Sequence, residues 1–108
     1  MIEKIIVNNE VAVLYSPGYG AGWYTWNEDC EECLFDPVVV KWVLNGKDSS
    51  LTEDYVESKY DAGTGFYAGG MRDLEVAWIP VGKKFIIREY DGNESIETED
   101  TIKWTTTA

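Results

Sequence analysis

Between Ser16 and Asn27 the chain reads Ser-Pro-Gly-Tyr-Gly-Ala-Gly-Trp-Tyr-Thr-Trp-Asn, so that Gly18, Gly20 and Gly22 alternate with Tyr19, Ala21 and Trp23. Alternate glycines let a backbone come close to a ligand or a neighbouring strand and expose its N–H groups. The rings of Tyr19, Trp23 and Trp26 offer faces for a planar group to stack on, worth about 1–3 kcal/mol per base in nucleic-acid complexes. Together these parts suit a nucleotide-like molecule, with amides on a phosphate and rings on the base. The same residues have an architectural use: the aromatics plug one end of a core while the glycines permit tight turns. The Gly-x-Gly-x-Gly spacing departs from the dinucleotide fingerprint, no strand–loop–helix unit of that type surrounds it, and no phosphate-loop lysine follows.

A second glycine-aromatic stretch, Asp61 to Asp73, contains Gly63, Gly65, Phe66, Tyr67, Gly69, Gly70 and Arg72. If the two loops converge, Tyr67 adds a ring and Arg72 is the one well-placed cation for an anionic ligand. The alternative for Arg72 is an ion pair with Asp73 or another nearby carboxylate, worth below about 1 kcal/mol when exposed. The residues assigned to a ligand site are therefore Tyr19, Gly20, Gly22, Trp23, Trp26, Tyr67 and Arg72.

Other chemistry finds little support. Cys30-Glu31-Glu32-Cys33 has CxxC spacing, but the chain has no histidine and no further cysteine to complete a four-ligand zinc site. Neighbouring glutamates raise a thiol pKa, which opposes redox reactivity, so the pair reads as two small apolar residues on a short helical turn. Without histidine the usual base for a Ser or Cys nucleophile is missing, and no nucleophile elbow is present. Glu31-Glu32, Glu53-Asp54 and Glu99-Asp100 read as solvated faces, and a carboxylate-based hydrolase is the residual catalytic reading. Asp91-Gly92-Asn93-Glu94 lacks the alternating ligands and closing glutamate of a calcium loop and reads as a turn between strands. The expectation is a protein that is not an enzyme, with no cofactor and no metal.

The formal net charge of −11 over 108 residues opposes binding to duplex DNA or an anionic membrane, which needs clustered Lys and Arg. An acidic surface suits a basic partner, or simply keeps a small domain in solution. No stretch approaches the roughly 20 apolar residues that span a bilayer. The N-terminal run Met1 to Val7 reads as a strand and not as a signal peptide. With two cysteines and no disulfide framework, the expected location is the cytoplasm. The length suits one domain, residues 1–108, with a single core.

The elements that would position these loops follow from local pattern. Ile2 to Asn8 and Glu10 to Tyr15 are β-branched runs joined at Asn8-Asn9, a hairpin signal. Asp36-Pro37 supplies a cap and a first-turn proline for a helix carrying Val38, Val39, Trp42 and Val43 and closed by Asn45-Gly46. Ser50 with Glu53 resembles a capping box for a helix from about Leu51 to Tyr60, with Tyr55, Val56 and Tyr60 as its buried face. Leu74 to Ile79, Lys84 to Tyr90, Glu94 to Glu97 and Ile102 to Thr106 read as strands. The expected fold class is α+β: a mainly antiparallel β-sheet with two short helices inserted between N-terminal and C-terminal strands.

The blocks Ser16 to Asn27, Leu34-Phe-Asp-Pro37, Tyr67-x-Gly-Gly70 leading to Asp73-Leu74, Trp78-x-Pro-x-Gly82 and Glu89-Tyr-Asp-Gly-x-Glu-Ser95 cover most of the chain. In these it resembles a family of small proteins encoded by bacteriophages and bacteria, for which no activity is available to transfer; Cys30 and Cys33 lie outside the pattern. The resemblance implies a phage-encoded setting, in which small acidic proteins often inhibit a host enzyme or defence complex or sequester a nucleotide signal. The leading expectation is a non-enzymatic counter-defence protein holding a small nucleotide-like ligand between the two loops. The second is an acidic inhibitor of a host protein, such as a nucleic-acid mimic, and the third is a structural domain that forms a homo-oligomer.

Overall fold

The structure is a computed structural model that describes residues 2–28, 30–60, 65–100 and 107. Among these residues five strands form two antiparallel sheets: β1 (Ile6–Val7), β2 (Glu10–Tyr15) and β3 (Glu75–Pro80) in the order β1-β2-β3, and β4 (Phe85–Tyr90) with β5 (Asn93–Thr98). Two helices, α1 (Pro37–Leu44) and α2 (Glu53–Tyr60), lie between β2 and β3 in the chain. The α+β class expected from the sequence is the class observed. No helix among the described residues is long and apolar enough to cross a membrane.

The turns carry the conformations their residues favour. Asn8 and Asn9 both have positive φ, as does the Asp91-Gly92 pair that joins β4 to β5. Two successive left-handed residues give the turn whose twist matches a two-residue hairpin, and Asn, Asp and Gly adopt it most readily. The strand expected at residues 102–106 lies outside the described residues.

β2 is the organising strand because it is buried on both faces. Alternate side chains point to opposite sides of a strand. Ala12 and Leu14 join a core with Val39 and Val40 of α1, Val56 of α2, Trp23, Phe66, Met71 and Leu74. Val11 and Val13 face the other way, onto Leu34, Phe35 and Ile79, with Phe85, Ile87 and Ile96 of the β4–β5 hairpin packed against them. The β3–β4 connection thus leads from one sheet to a second sheet stacked on it, where sequence pattern alone suggested one mainly antiparallel sheet.

Asp36 starts α1, its Oδ1 accepting hydrogen bonds from Val38 N at 2.9 Å and Val39 N at 3.3 Å. At the other end Gly46, with φ of 92°, donates its N–H to Val43 O at 3.2 Å, and Lys47 donates to Trp42 O at 2.9 Å. This pair of bonds satisfies carbonyls that the helix leaves open. α2 differs from expectation. Ser50 bonds Asp48 instead, and Thr52 Oγ1 accepts the Tyr55 N–H at 3.2 Å, so the helix starts one cap later. Tyr55 is exposed, Val56 is buried in the core, and Tyr60 is half-buried against it, its ring 4.9 Å from that of Phe66.

Asp36 also ties the two helices together. Its Oδ2 accepts hydrogen bonds from Lys59 Nζ at 2.9 Å and from the Tyr60 hydroxyl. Burial alone would raise its pKa. The hydrogen bonds from Tyr60 and Lys59, the Lys59 charge and the Val39 N–H outweigh burial and hold it below the ordinary carboxylate range. A folded-state pKa below the unfolded value adds stability that is present above the ordinary carboxylate pKa and lost as pH falls through the folded value. Asp36→Asn is therefore expected to lower stability by about 1–3 kcal/mol at neutral pH. Urea denaturation should show the gap between variant and parent closing as pH falls through the carboxylate range. A gap that widens on acidification would contradict this assignment.

Candidate functional site

The Ser16–Asn27 segment contains no regular element beyond a 3-10 turn at Tyr24–Trp26, and its shape is set from far away in the chain. Glu94, near the start of β5, is 1% exposed, and its carboxylate reaches into the loop. Oε1 accepts from Ser16 N at 2.8 Å; Oε2 accepts from Trp23 N at 3.0 Å, Thr25 N at 2.9 Å and Thr25 Oγ1 at 2.7 Å. Ser16 O in turn accepts from Glu94 N at 2.7 Å, which continues β2 onto β5 for one residue. Four donors thus converge on the two carboxylate oxygens, three of them on Oε2. The exposed N–H groups that the glycine pattern suggested for a ligand phosphate are, at Trp23 and Thr25, already taken by this internal anion.

The two glycine-aromatic loops do converge, and they do so by backbone contact. A Cβ on Gly70 would lie 2.4 Å from the Gly22 carbonyl oxygen, and one on Gly92 would lie 2.5 Å from the Gly20 carbonyl oxygen. Neither position leaves space for a side chain, so the glycines serve close packing of loop on loop. Ser16 Oγ lies 3.1 Å from Gly70 O and 3.2 Å from Ala21 O, within donating reach of both. Asn27 fastens the loops on the outside: its Nδ2 donates to Tyr67 O at 2.9 Å and Trp23 O at 2.7 Å, while its Oδ1 accepts from Tyr67 N at 2.8 Å.

The aromatics of the segment divide into core and surface. Trp23 is fully buried, edge-on to Phe66 with ring centroids 5.4 Å apart, and its Nε1 donates to Cys33 O at 2.8 Å. It closes the core, as the architectural reading anticipated. Trp26, three residues on, is 44% exposed, and Tyr67 is 47% exposed. Their rings stack with centroids 5.7 Å apart and planes 22° from parallel. Trp26 Nε1 donates to Glu89 Oε2 at 3.0 Å, so the ring is anchored at its edge. Among the described residues Tyr19 and Tyr90 are the most exposed aromatic side chains, and the Gly20 N–H to Asp91 O contact at 3.4 Å brings their two loop tips together.

Arg72 is not brought to this platform. It is 87% exposed, its Nε lies 3.8 Å from Glu53 Oε1, and it borders a separate hollow with Trp42, Leu51 and Met71. Of the residues assigned from sequence, Trp26 and Tyr67 form a contact pair. Gly20 and Gly22 support it, Trp23 underlies it, Tyr19 lies at the tip and Arg72 stands apart. Glu94 and Asn27 were missed as organisers; neither carries a local signal beyond its place in a turn or motif.

Beside the stacked pair lies an open cleft of about 520 Å³, with Trp26, Asn27, Tyr60 and Phe66 in its walls. Among the described residues its charged lining is Glu28, Glu31, Glu32 and Lys59. An adjoining hollow of about 310 Å³ shares Glu32, Lys59 and Tyr60 and adds Glu3. Lys59 is already paired with Asp36. Cys30 lines the cleft and Cys33 is buried behind it. Burial, more than any neighbouring charge, raises both thiols, Cys33 far above the ordinary thiol range. Both are poor nucleophiles in this setting. Among the described residues no group of three Asp, Glu or Cys side chains is placed to hold a metal ion.

Comparison of the chain with protein-family models, with curated proteins and with solved structures gives no match. The chemistry of the site rests on its own geometry: a fixed aromatic platform at the edge of an acidic cleft.

Glu94→Gln keeps the shape but turns one oxygen into an N–H donor facing N–H donors. It should cost about 1.5–3 kcal/mol in urea denaturation, whereas Glu99→Gln on the exposed surface should stay within about 0.5 kcal/mol. Gly70→Ala forces backbone apart where the loops meet and should cost about 1–3 kcal/mol, with the Trp26 fluorescence changing as the platform shifts.

Proposed function

We propose that this chain is a protein-binding module that engages a basic surface or segment of a partner through the aromatic loops and the acidic cleft beside them. The observation that carries this reading is the half-exposed Trp26–Tyr67 stack bordering a cleft whose charged lining is Glu28, Glu31, Glu32 and the already paired Lys59. Trp and Tyr give large contact area at low entropic cost and concentrate at the centres of protein interfaces. Loops already held by Glu94 and Asn27 lose little further freedom on binding, which favours affinity. A net charge of −11 would steer a cationic partner toward the surface and repel anionic competitors. In the phage-encoded setting that the resemblance implies, the partner would be a host enzyme or defence complex with a nucleic-acid-binding surface, and the chain its inhibitor in the cytoplasm.

The small-ligand reading keeps one observation in its favour, the Trp26–Tyr67 stack itself, on which a base or other planar group can lie. Among the described residues its phosphate would meet a single cation in the cleft, Lys59, already paired with Asp36, while Arg72 stands elsewhere.

Titration with protamine, a basic probe protein, tests the first reading. Binding should weaken at least about tenfold in Trp26→Ala and in Tyr67→Ala. Both variants keep the net charge, so equal binding by parent and variants would mean that bulk charge alone is at work and would sink the site. Preferential binding of AMP or ADP-ribose, lost in the same variants, would move the assignment to a nucleotide-like ligand.

A further inference from the structure

The occupant of the acidic cleft can be narrowed by what its walls offer. Three glutamates, Glu28, Glu31 and Glu32, border it, and each is exposed enough to reorient toward a guest. They do not converge closely enough, with any described neighbour, to hold a metal ion. A spherical cation is therefore a poor fit, whereas a guest with several donors spread over a plane can meet carboxylates that stand apart. Among the described residues the one cation in the wall is Lys59, whose Nζ lies on Asp36 Oδ2 at 2.9 Å, so that its charge is already balanced in part by a buried carboxylate.

The aromatic wall adds the second requirement. Trp26 has one face against Tyr67 and its Nε1 tied to Glu89, so its ring is held at the cleft border before any guest arrives. Trp is the best aromatic partner for a cation, and a guanidinium stacks flat on such a ring while its edge N–H groups remain free for carboxylates. An ammonium is more strongly hydrated and cannot use the flat face in this way.

We infer that the cleft is an arginine receptor: a guanidinium of the partner lies on Trp26 and donates to the carboxylates of Glu28, Glu31 and Glu32. This rests on the protein-binding reading and specifies the side chain that the partner inserts.

Two synthetic peptides of equal length and charge, one with arginine and one with lysine at every basic position, separate the two levels. Calorimetric titration near physiological salt should show the arginine peptide binding at least about fivefold tighter. In Trp26→Leu that preference should fall to about twofold or less, with the circular-dichroism melting curve of the variant recording that it is folded. The double variant Glu31→Gln, Glu32→Gln, altered only at exposed positions, should weaken the arginine peptide by a similar factor while the nitrogen–proton NMR spectrum keeps its core resonances. Equal binding of the two peptides overturns the arginine assignment and leaves the protein-binding reading standing. A preference that survives both variants places the receptor elsewhere and overturns the assignment to this cleft. No binding of either peptide, together with no Trp26-dependent binding of protamine, overturns the protein-binding reading as well.

Discussion

The carboxylate of Glu94 is the interaction on which the rest of the loop architecture depends. A buried carboxylate is tolerated only when its oxygens are met by donors, and leaving donors unmet in the same place is equally costly. Glu94 and the Ser16, Trp23 and Thr25 groups answer each other's needs across 69 to 78 residues of sequence. The glycine-aromatic segment therefore has its fold only when the β4–β5 hairpin is docked. Loop closure over such a span must be met before the contact gives anything back. The same carboxylate holds Trp23 at its backbone, and so holds the indole that fills the end of the core beneath the loop.

Asp36 does for the helical side what Glu94 does for the hairpin side. Each is a buried acid, each accepts several hydrogen bonds, and each joins elements that meet in space but not in sequence. β2 runs between them with apolar side chains on both faces, so the helices and the hairpin are registered against one strand. Of the twenty acidic residues, two among those described, Asp36 and Glu94, are withdrawn inside to fix the frame.

What could be read in the sequence was local. Asn8-Asn9, Asp36-Pro37, Asn45-Gly46 and Asp91-Gly92 each specify a backbone conformation within a few residues, and the hairpins and α1 follow from them. The glycine-aromatic segments stood out for composition, and Trp26 and Tyr67 could be named as candidate contact residues. The different positions of Trp23 and Trp26 could not be read, because both stand in the same glycine-rich run and are distinguished by distant partners, Phe66 and Cys33 for one, Tyr67 and Glu89 for the other. Tyr55 looked like a core residue by spacing, but the depth of the helix face depends on how α2 leans on α1. Glu94 looked like a turn residue because nothing in Asp91-Gly92-Asn93-Glu94 reports the loop that lies over it. The second sheet was hidden for a similar reason: alternation marks a strand and not the layer it joins.

The arrangement separates the residues that make the frame from those that face outward. The frame is held by close backbone approach at Gly20, Gly22, Gly70 and Gly92, by the Asn27 amide on Trp23 and Tyr67 and by the Glu94 carboxylate on Ser16, Trp23 and Thr25, whereas the side chains of Tyr19 and Tyr90 project from that frame into solvent. A surface of this kind can be rewritten without rebuilding what lies beneath it, as the variable loops of an antibody are rewritten on a constant sandwich. Diversifying the outward positions while keeping the glycines, Asn27 and Glu94 would turn this small, cysteine-poor chain into a display scaffold whose binding face is selected independently of its core.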